Sequence, residues 1–179
     1  FFEGRSVPDL VEAEVTARLL SPHTVELYDF GVTDDGALYY AMELLEGMSV
    51  HALVDRYGPQ PAARVAFLLL HACHSLLEAH DAGLVHRDLK PENLFVAHRG
   101  RDEDFLKVLD FGLVKELDSA PTDPRERRPR MHLTIAGARP GTPGFMAPEQ
   151  IVGNAPIDQR ADVYALGCVA YYLLTASAV

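Results

Sequence analysis

Asp88, Lys90 and Asn93 sit together in the stretch His86-Arg87-Asp88-Leu89-Lys90-Pro91-Glu92-Asn93, and Asp110 follows 22 residues after Asp88, in Asp110-Phe111-Gly112. These side chains suit one kind of chemistry. A carboxylate accepts a hydrogen bond from a hydroxyl, carboxylate and amide oxygens suit a hard divalent cation, and an ammonium neutralises an anion. A third block, Ala147-Pro148-Glu149, lies 39 residues beyond Asp110. Singly, each block is ordinary. An isolated Asp-Phe-Gly is more often a turn than a metal site, and a lone His-Arg-Asp is usually a surface ion pair. The ordered set carries the weight.

These residues need elements to position them. Leu10, Ala13, Ala17 and Leu20 recur at helical spacing between Asp9, a fitting N-cap, and the stop Ser21-Pro22. Residues 25–30 and 37–44 read as strands around the turn Thr33-Asp34-Asp35-Gly36, a hairpin by its turn chemistry. A short helix is expected over 49–56, closed by Gly58-Pro59. A long one follows over 61–81, with Val65, Leu69, Ala72, Leu76 and Ala79 as its buried stripe. Residues 94–97 and 105–109 read as short β pieces, and an apolar helix starts near Arg160. A β-rich part followed by a larger helical part, without internal repeats, predicts an α+β chain.

The net charge of −10 argues against the chain as a whole holding nucleic acid, which needs a basic face. Cys73 and Cys168 lie far apart in apolar helical stretches, a usage that fits a reducing cytoplasm. Residues 1–10 lack the basic and apolar regions of a signal peptide. The uncharged run 163–179 is at the short end of a membrane span. Gly167, Cys168, Thr175 and Ser177 make it less oily than one, so it reads as a buried core helix.

The three blocks in this order resemble the eukaryotic-type protein kinases. The likeness extends to Met42-Glu43-Leu44-Leu45-Glu46-Gly47, similar to that family's hinge, to Gly141-Thr142-Pro143, and to Asp162-Val163-Tyr164-Ala165-Leu166-Gly167. It runs from about Glu12 to Leu174, and the wording Gly-Thr-Pro-Gly-Phe-Met-Ala-Pro-Glu-Gln looks most like the bacterial Ser/Thr branch. The resemblance implies a bilobal kinase-like fold: residues 1–45 as a partial N-lobe to the hinge, and 46–179 as a C-lobe cut after its central apolar helix. ATP and Mg²⁺ follow as implied cofactors, with protein substrates as partners and no nucleic acid. The family also leaves room for autophosphorylation and a homodimer. A cytoplasmic location is implied, with membrane attachment through a downstream segment left open.

By that resemblance Asp88 accepts and orients the substrate hydroxyl, and Lys90 reaches the γ-phosphate. Asn93 and Asp110 ligate Mg²⁺. Phosphoryl transfer relies mostly on positioning and charge neutralisation, so few groups suffice. A lysine two residues after the Asp favours Ser and Thr over Tyr as acceptors. Glu43 would offer its C=O and Leu45 its N–H to adenine. Glu12, ten residues before Pro22, matches the helix glutamate that pairs with the family's ATP-binding lysine. The only lysines are Lys90, Lys107 and Lys115, none before the hinge, and no Gly-rich loop precedes Glu12. The chain therefore reads as an internal fragment of a kinase domain, expected to be inactive alone. His86 would pack under Phe111. Glu149 and Arg160 would form a buried ion pair, and Asp162 would tie the catalytic loop to the apolar helix. Arg87 would receive a phosphate on Thr134, whereas Thr142 would contact the catalytic loop.

Two alternatives belong beside this reading. A pseudokinase or nucleotide-binding scaffold would share the fold, but Asp88, Lys90, Asn93 and Asp110 are all intact. A small-molecule phosphotransferase is disfavoured by Gly141-Thr142-Pro143 and Ala147-Pro148-Glu149, which in protein kinases form a peptide platform. Two further clusters read as solvated faces. His71, His74 and Glu78 share a helix face, near Cys73 and His80, but lack a partner segment for zinc. Arg125, Arg127, Arg128 and Arg130 read as a charged loop, with docking of an acidic partner as the sharper alternative.

Overall fold

A computed structural model describes residues 15–33, 38–111, 143–152 and 156–179. Glu12, Thr134, Thr142 and the arginine cluster at 125–130 lie outside the described residues. Residues 15–16 are helical, and the chain then turns through Ser21 and Pro22 into the first strands.

Strand β1 (Leu27–Val32) pairs antiparallel with β2 (Leu38–Met42), from Leu27 opposite Met42 to Val32 opposite Leu38. The first strand lies two residues later than expected, over 27–32 and not 25–30, and the second is shorter, 38–42 and not 37–44. Thr24 and Val25 leave the hairpin to pair with Val108: Val25 N–H donates to the Val108 carbonyl at 2.9 Å, and Val108 N–H to the His23 carbonyl at 2.7 Å. Beyond Met42 the ladder is diverted by a side chain of the next residue, as described below.

Strand β3 (Gly47–Ser49) opens a second antiparallel sheet, ordered β3-β4-β5, with β4 at Leu94–Arg99 and β5 at Asp102–Val108. Gly47 has φ +148°, and a Cβ there would meet the Val96 carbonyl oxygen at 2.1 Å. Only glycine allows the strands so close. Helix α1 (Val50–Tyr57) follows at once. Ser49 caps it by accepting the Ala52 N–H at 3.1 Å, and Gly58, at φ +72°, closes it by donating to Val54.

Helix α2 (Ala62–Asp81) buries Val65, Leu68, Ala72, Ser75, Leu76 and Ala79. Val65, Ala72, Leu76 and Ala79 of the expected stripe are buried, but at its remaining position Leu68 is fully buried and Leu69 lies at the margin of the core. This follows from contacts on both sides of the helix. Thr24 and Ser75 share a buried hydroxyl hydrogen bond at 2.7 Å, and Arg64 forks onto Asp104 of β5. Helix α3 (Pro148–Val152) is short, and helix α4 (Arg160–Thr175) ends at Ala176 in the left-handed conformation. Its inward residues Ala161, Ala165, Cys168, Val169 and Leu173 recur every three or four positions and meet Leu68, Leu94, Leu106, Val108 and Phe111 in one core. The run 163–179 is therefore not a helix buried all round: only Ala165, Cys168, Val169 and Leu173 are buried, whereas Val163, Tyr164, Tyr171 and Leu174 are exposed. Among the described residues only Ala62–Asp81 is long and apolar enough to cross a membrane, and a third of its apolar window is buried inside the protein.

Candidate active site

The loop between α2 and β4 is braced from three directions. Asp162, 1% exposed at the start of α4, accepts the N–H of His86 at 2.8 Å and that of Arg87 at 2.9 Å. It also bonds His80 Nε2 at 2.8 Å. A buried carboxylate tolerates its position because donors surround it. Arg87 needs such support, since its φ of +63° is unfavourable for a side chain with a Cβ.

His86 links this loop to the strand end carrying Asp110. Its Nε2–H donates to the Leu109 carbonyl at 2.8 Å, its Nδ1 accepts the Asp88 N–H at 3.3 Å, and its ring lies 4.9 Å from that of Phe111. Full burial pushes its pKa below the ordinary histidine value, partly opposed by the bond to Leu109. The neutral tautomer with hydrogen on Nε2 satisfies both bonds, so His86 holds position and moves no proton.

Asn93, almost buried, closes the loop. Its side-chain NH₂ donates to the Asp88 carbonyl at 2.8 Å, and its own carbonyl accepts the Leu109 N–H at 2.9 Å. The amide orientation is thereby set, with Oδ1 as the remaining acceptor end. Lys90 Nζ lies 3.0 Å from Asp88 Oδ2, both side chains about a quarter exposed. Asp110, at φ +49°, follows Leu109 directly. Two of the three non-glycine residues with positive φ among the described residues are therefore Arg87 and Asp110, at the site. Asp88, Lys90, Asn93, Asp110, His86, Phe111, Arg87 and Asp162 form one braced constellation. Its carboxylate and amide oxygens are hard donors of the kind Mg²⁺ takes, so the donor set fits that ion.

The segment that follows β2 shows a second arrangement. Glu43 N–H donates to the Glu26 carbonyl at 3.0 Å, as the next rung of the β1–β2 ladder. The return bond is not made by the Glu43 carbonyl. Glu26 N–H goes instead to Glu43 Oε1 at 2.8 Å, and the same oxygen receives Lys107 Nζ from β5. Lys107, only 8% exposed, also reaches the Thr24 carbonyl at 3.2 Å. The side chain replaces its own backbone in the ladder, which releases the Glu43 C=O where the chain peels towards Leu45. A cleft of about 610 Å³ adjoins this segment, lined by Glu26, Glu43, Leu45, Arg99 and Lys107 among others. Asp88, Asn93 and Asp110 do not line it, so it is separate from the constellation around Asp88.

The expected Glu149–Arg160 buried pair is corrected by the structure. The Arg160 side chain is 82% exposed and forks onto Asp158 Oδ1 and Oδ2 at 2.8–3.1 Å. The Asp158 carboxylate two residues away, held beside the helix start by the Arg160 N–H itself, takes the guanidinium, and Glu149 acts on it only through its charge. The His71 face also differs from expectation in having a partner segment. His23 stacks on His71 at 4.0 Å and on Phe105 at 4.5 Å, and Glu78 accepts the N–H groups of Leu20 and Ser21 at 2.8 and 2.7 Å. No group of three or more metal-capable side chains occurs there or elsewhere among the described residues.

Sequence reasoning missed Lys107 and His80. A lone lysine inside an apolar strand was the available signal for the first, because a buried ammonium requires partners.

A braced loop carrying Asp88, Lys90 and Asn93, tied through Asn93 to the end of β5 where Asp110 stands, defines a phosphotransferase-like class. The family model described as protein kinase domain matches residues 7–179, and the chain belongs to that family. Among curated relatives, serine/threonine-protein kinase pkn3 of Myxococcus xanthus is 42% identical over 164 residues, covering 92% of this chain and 28% of the relative. Serine/threonine-protein kinase Pkn1 of the same organism is 42% identical over 173 residues, covering 94% and 23%. A point mutant of the Mycobacterium tuberculosis PknI kinase domain superposes with TM-score 0.68 at 28% identity, covering 93% of this chain and 55% of that one. The chain thus spans about a quarter of the length of these curated relatives, and the fold is the α+β fold of a partial kinase domain of the bacterial Ser/Thr type.

Proposed function

We propose that the protein containing this chain transfers the ATP γ-phosphate to Ser and Thr hydroxyls of other proteins. The observation that carries this reading is that Asn93 bonds both the Asp88 backbone carbonyl and the N–H of Leu109, the residue before Asp110, tying the two candidate stretches together. Asp88 accepts the hydrogen bond of the attacking hydroxyl. Lys90, poised on Asp88, neutralises charge on the transferring group. Asn93 Oδ1 and the Asp110 carboxylate would hold Mg²⁺, which when bound neutralises phosphate charge. The Glu43 C=O and Leu45 N–H receive adenine, a reading supported by the diverted hinge rung.

The rest of the proposal rests on the family. Residues 1–45 form the part of the N-lobe before the hinge and 46–179 the C-lobe. Glu12 is the counterpart of the family's ion-pairing helix glutamate, and Thr142 contacts the catalytic loop. Phosphate on Thr134, added by autophosphorylation in a homodimer, pairs with Arg87. The kinase part works in the cytoplasm, with membrane attachment through another segment as the further proposal. The test is Mg²⁺-dependent transfer of labelled γ-phosphate by the full-length protein to peptides offering Ser, Thr or Tyr. Labelling of Ser and Thr peptides is expected. Labelling of Tyr alone, or no Mg²⁺ dependence, contradicts the proposal.

A further inference from the structure

We infer that Gln150 is a positioning residue for Asp88, an inference that rests on Asp88 being the group that orients the substrate hydroxyl. Gln150 lies on α3, 63 residues from the catalytic loop in sequence, yet its Nε2–H donates to the Arg87 carbonyl at 2.7 Å. That carbonyl belongs to the peptide plane joining Arg87 to Asp88. The other end of the same plane, the Asp88 N–H, bonds the His86 carbonyl at 2.8 Å and His86 Nδ1. The plane is therefore gripped at both ends, and Gln150 supplies one grip.

Arg87 makes that grip matter. Its φ of +63° is the conformation a Cβ disfavours, and relaxation of the residue would rotate the plane that leads into Asp88. Asp162 Oδ1 restrains Arg87 on the N–H side at 2.9 Å, and Gln150 restrains it on the carbonyl side.

The Gln150 amide is itself oriented. Its Oε1 accepts the N–H of fully buried Ala147 at 3.0 Å, while Gln150 N–H donates back to the Ala147 carbonyl at 2.9 Å. One partner can only donate and the other only accept, so the amide has a single satisfied orientation. A glutamine meets both demands at once. Glutamate would keep the acceptor for Ala147 and set an anionic oxygen against the Arg87 carbonyl. Methionine would keep the length and lose both bonds. Through this side chain the segment at 143–152 reports directly to the catalytic loop.

The experiment compares Gln150→Glu, Gln150→Met and Asp88→Asn in the full-length kinase, measuring kcat and KM for ATP, nucleotide affinity and the urea midpoint. It also measures hydrogen exchange of the Asp88 amide. Both Gln150 variants should lose about tenfold in kcat, the worth of one hydrogen bond to a reacting loop. They should exchange the Asp88 amide faster and bind ATP within about twofold of wild type. Gln150→Glu should keep its urea midpoint. Wild-type kcat in Gln150→Glu overturns the inference, because only the bond to Ala147 then matters. Equal loss of ATP affinity in both variants overturns it as well. Full activity in Asp88→Asn would remove the reading beneath it, an outcome distinct from inactive Asp88→Asn beside active Gln150 variants.

Discussion

Lys107 of β5 pairs across the fold with Glu43, the residue that leaves the β1–β2 ladder, the lysine buried and the glutamate half-buried. The pair fixes a strand of one sheet to the end of another, where the chain turns into the hinge. Removing the lysine alone strands the carboxylate. Lys107→Met should cost about 3 kcal/mol in denaturant titration, within the usual range for breaking a buried pair. Glu43→Gln should cost less, because its amide oxygen can still accept the Glu26 N–H. The double variant should recover part of the Lys107→Met loss, and strict additivity would show that the pair is not coupled.

Acid should weaken the fold before most carboxylates titrate. Burial lowers the pKa values of His86, His23 and His71 from 6.5, with mutual repulsion among His23, His71 and His74 adding to the shift for the last two. Lys107 and Arg99 oppose protonation of His23, whereas Asp102 favours that of His71. His71 Nδ1 accepts the Leu106 N–H at 3.4 Å and His23 Nδ1 bonds the Leu106 carbonyl at 2.9 Å, so the neutral rings serve the free edge of β5. The unfolded chain takes these protons near pH 6.5, the folded chain only lower. Stability is therefore complete above about pH 6.5 and drains as pH falls through the interval below it. Urea midpoints at pH 8, 6.5 and 5 should fall only over the last step, with a smaller fall in His71→Gln. A flat profile from pH 8 to 5 contradicts this.

Asp162→Ala should destabilise more than any change on the outer face of α4. It leaves the N–H groups of His86 and Arg87 without their carboxylate, at about 1–3 kcal/mol for each buried donor so orphaned. Asp162→Asn, which keeps one oxygen, should fall between alanine and wild type. Denaturation curves give the ranking, and equal stability of all three would refute the brace.

Gly47→Ala and Arg160→Ala test the packing in opposite senses. The first sets a methyl 2.1 Å from the Val96 oxygen at an unfavourable φ, and should cost about 2 kcal/mol or more. The second removes an exposed side chain paired only locally, and should leave the denaturation midpoint unchanged. A large loss for Arg160→Ala would restore the buried-pair expectation that the geometry removes.

The legible part of the site is the part where chemistry dictates residue type at short range. Asp88, Lys90 and Asn93 lie within one loop, and Asp110 follows after the single hairpin β4–β5, so their order shows in the sequence. The supporting contacts are hidden by distance along the chain. Glu43 and Lys107 are 64 residues apart, and Gln150 meets Arg87 across 63, so no local pattern announces either. Helices α2 and α4 follow from apolar spacing, and α1 from its Ser49 cap and Gly58 stop. The exchange of Leu69 for Leu68 in the α2 stripe depends on what Thr24 and β5 press against it. Arg160 shows the converse failure: a family analogy over a long range yields to an aspartate two residues away.

Phosphotransfer by Asp88→Asn in the full-length protein, read beside its affinity for ATP with and without Mg²⁺, tests the central claim most directly. The account predicts a loss of at least about a hundredfold in turnover, with Mg²⁺-dependent ATP binding kept within about twofold. Asp110→Asn should lose the Mg²⁺ dependence itself. Wild-type turnover in Asp88→Asn would contradict the assignment of this loop as the catalytic centre.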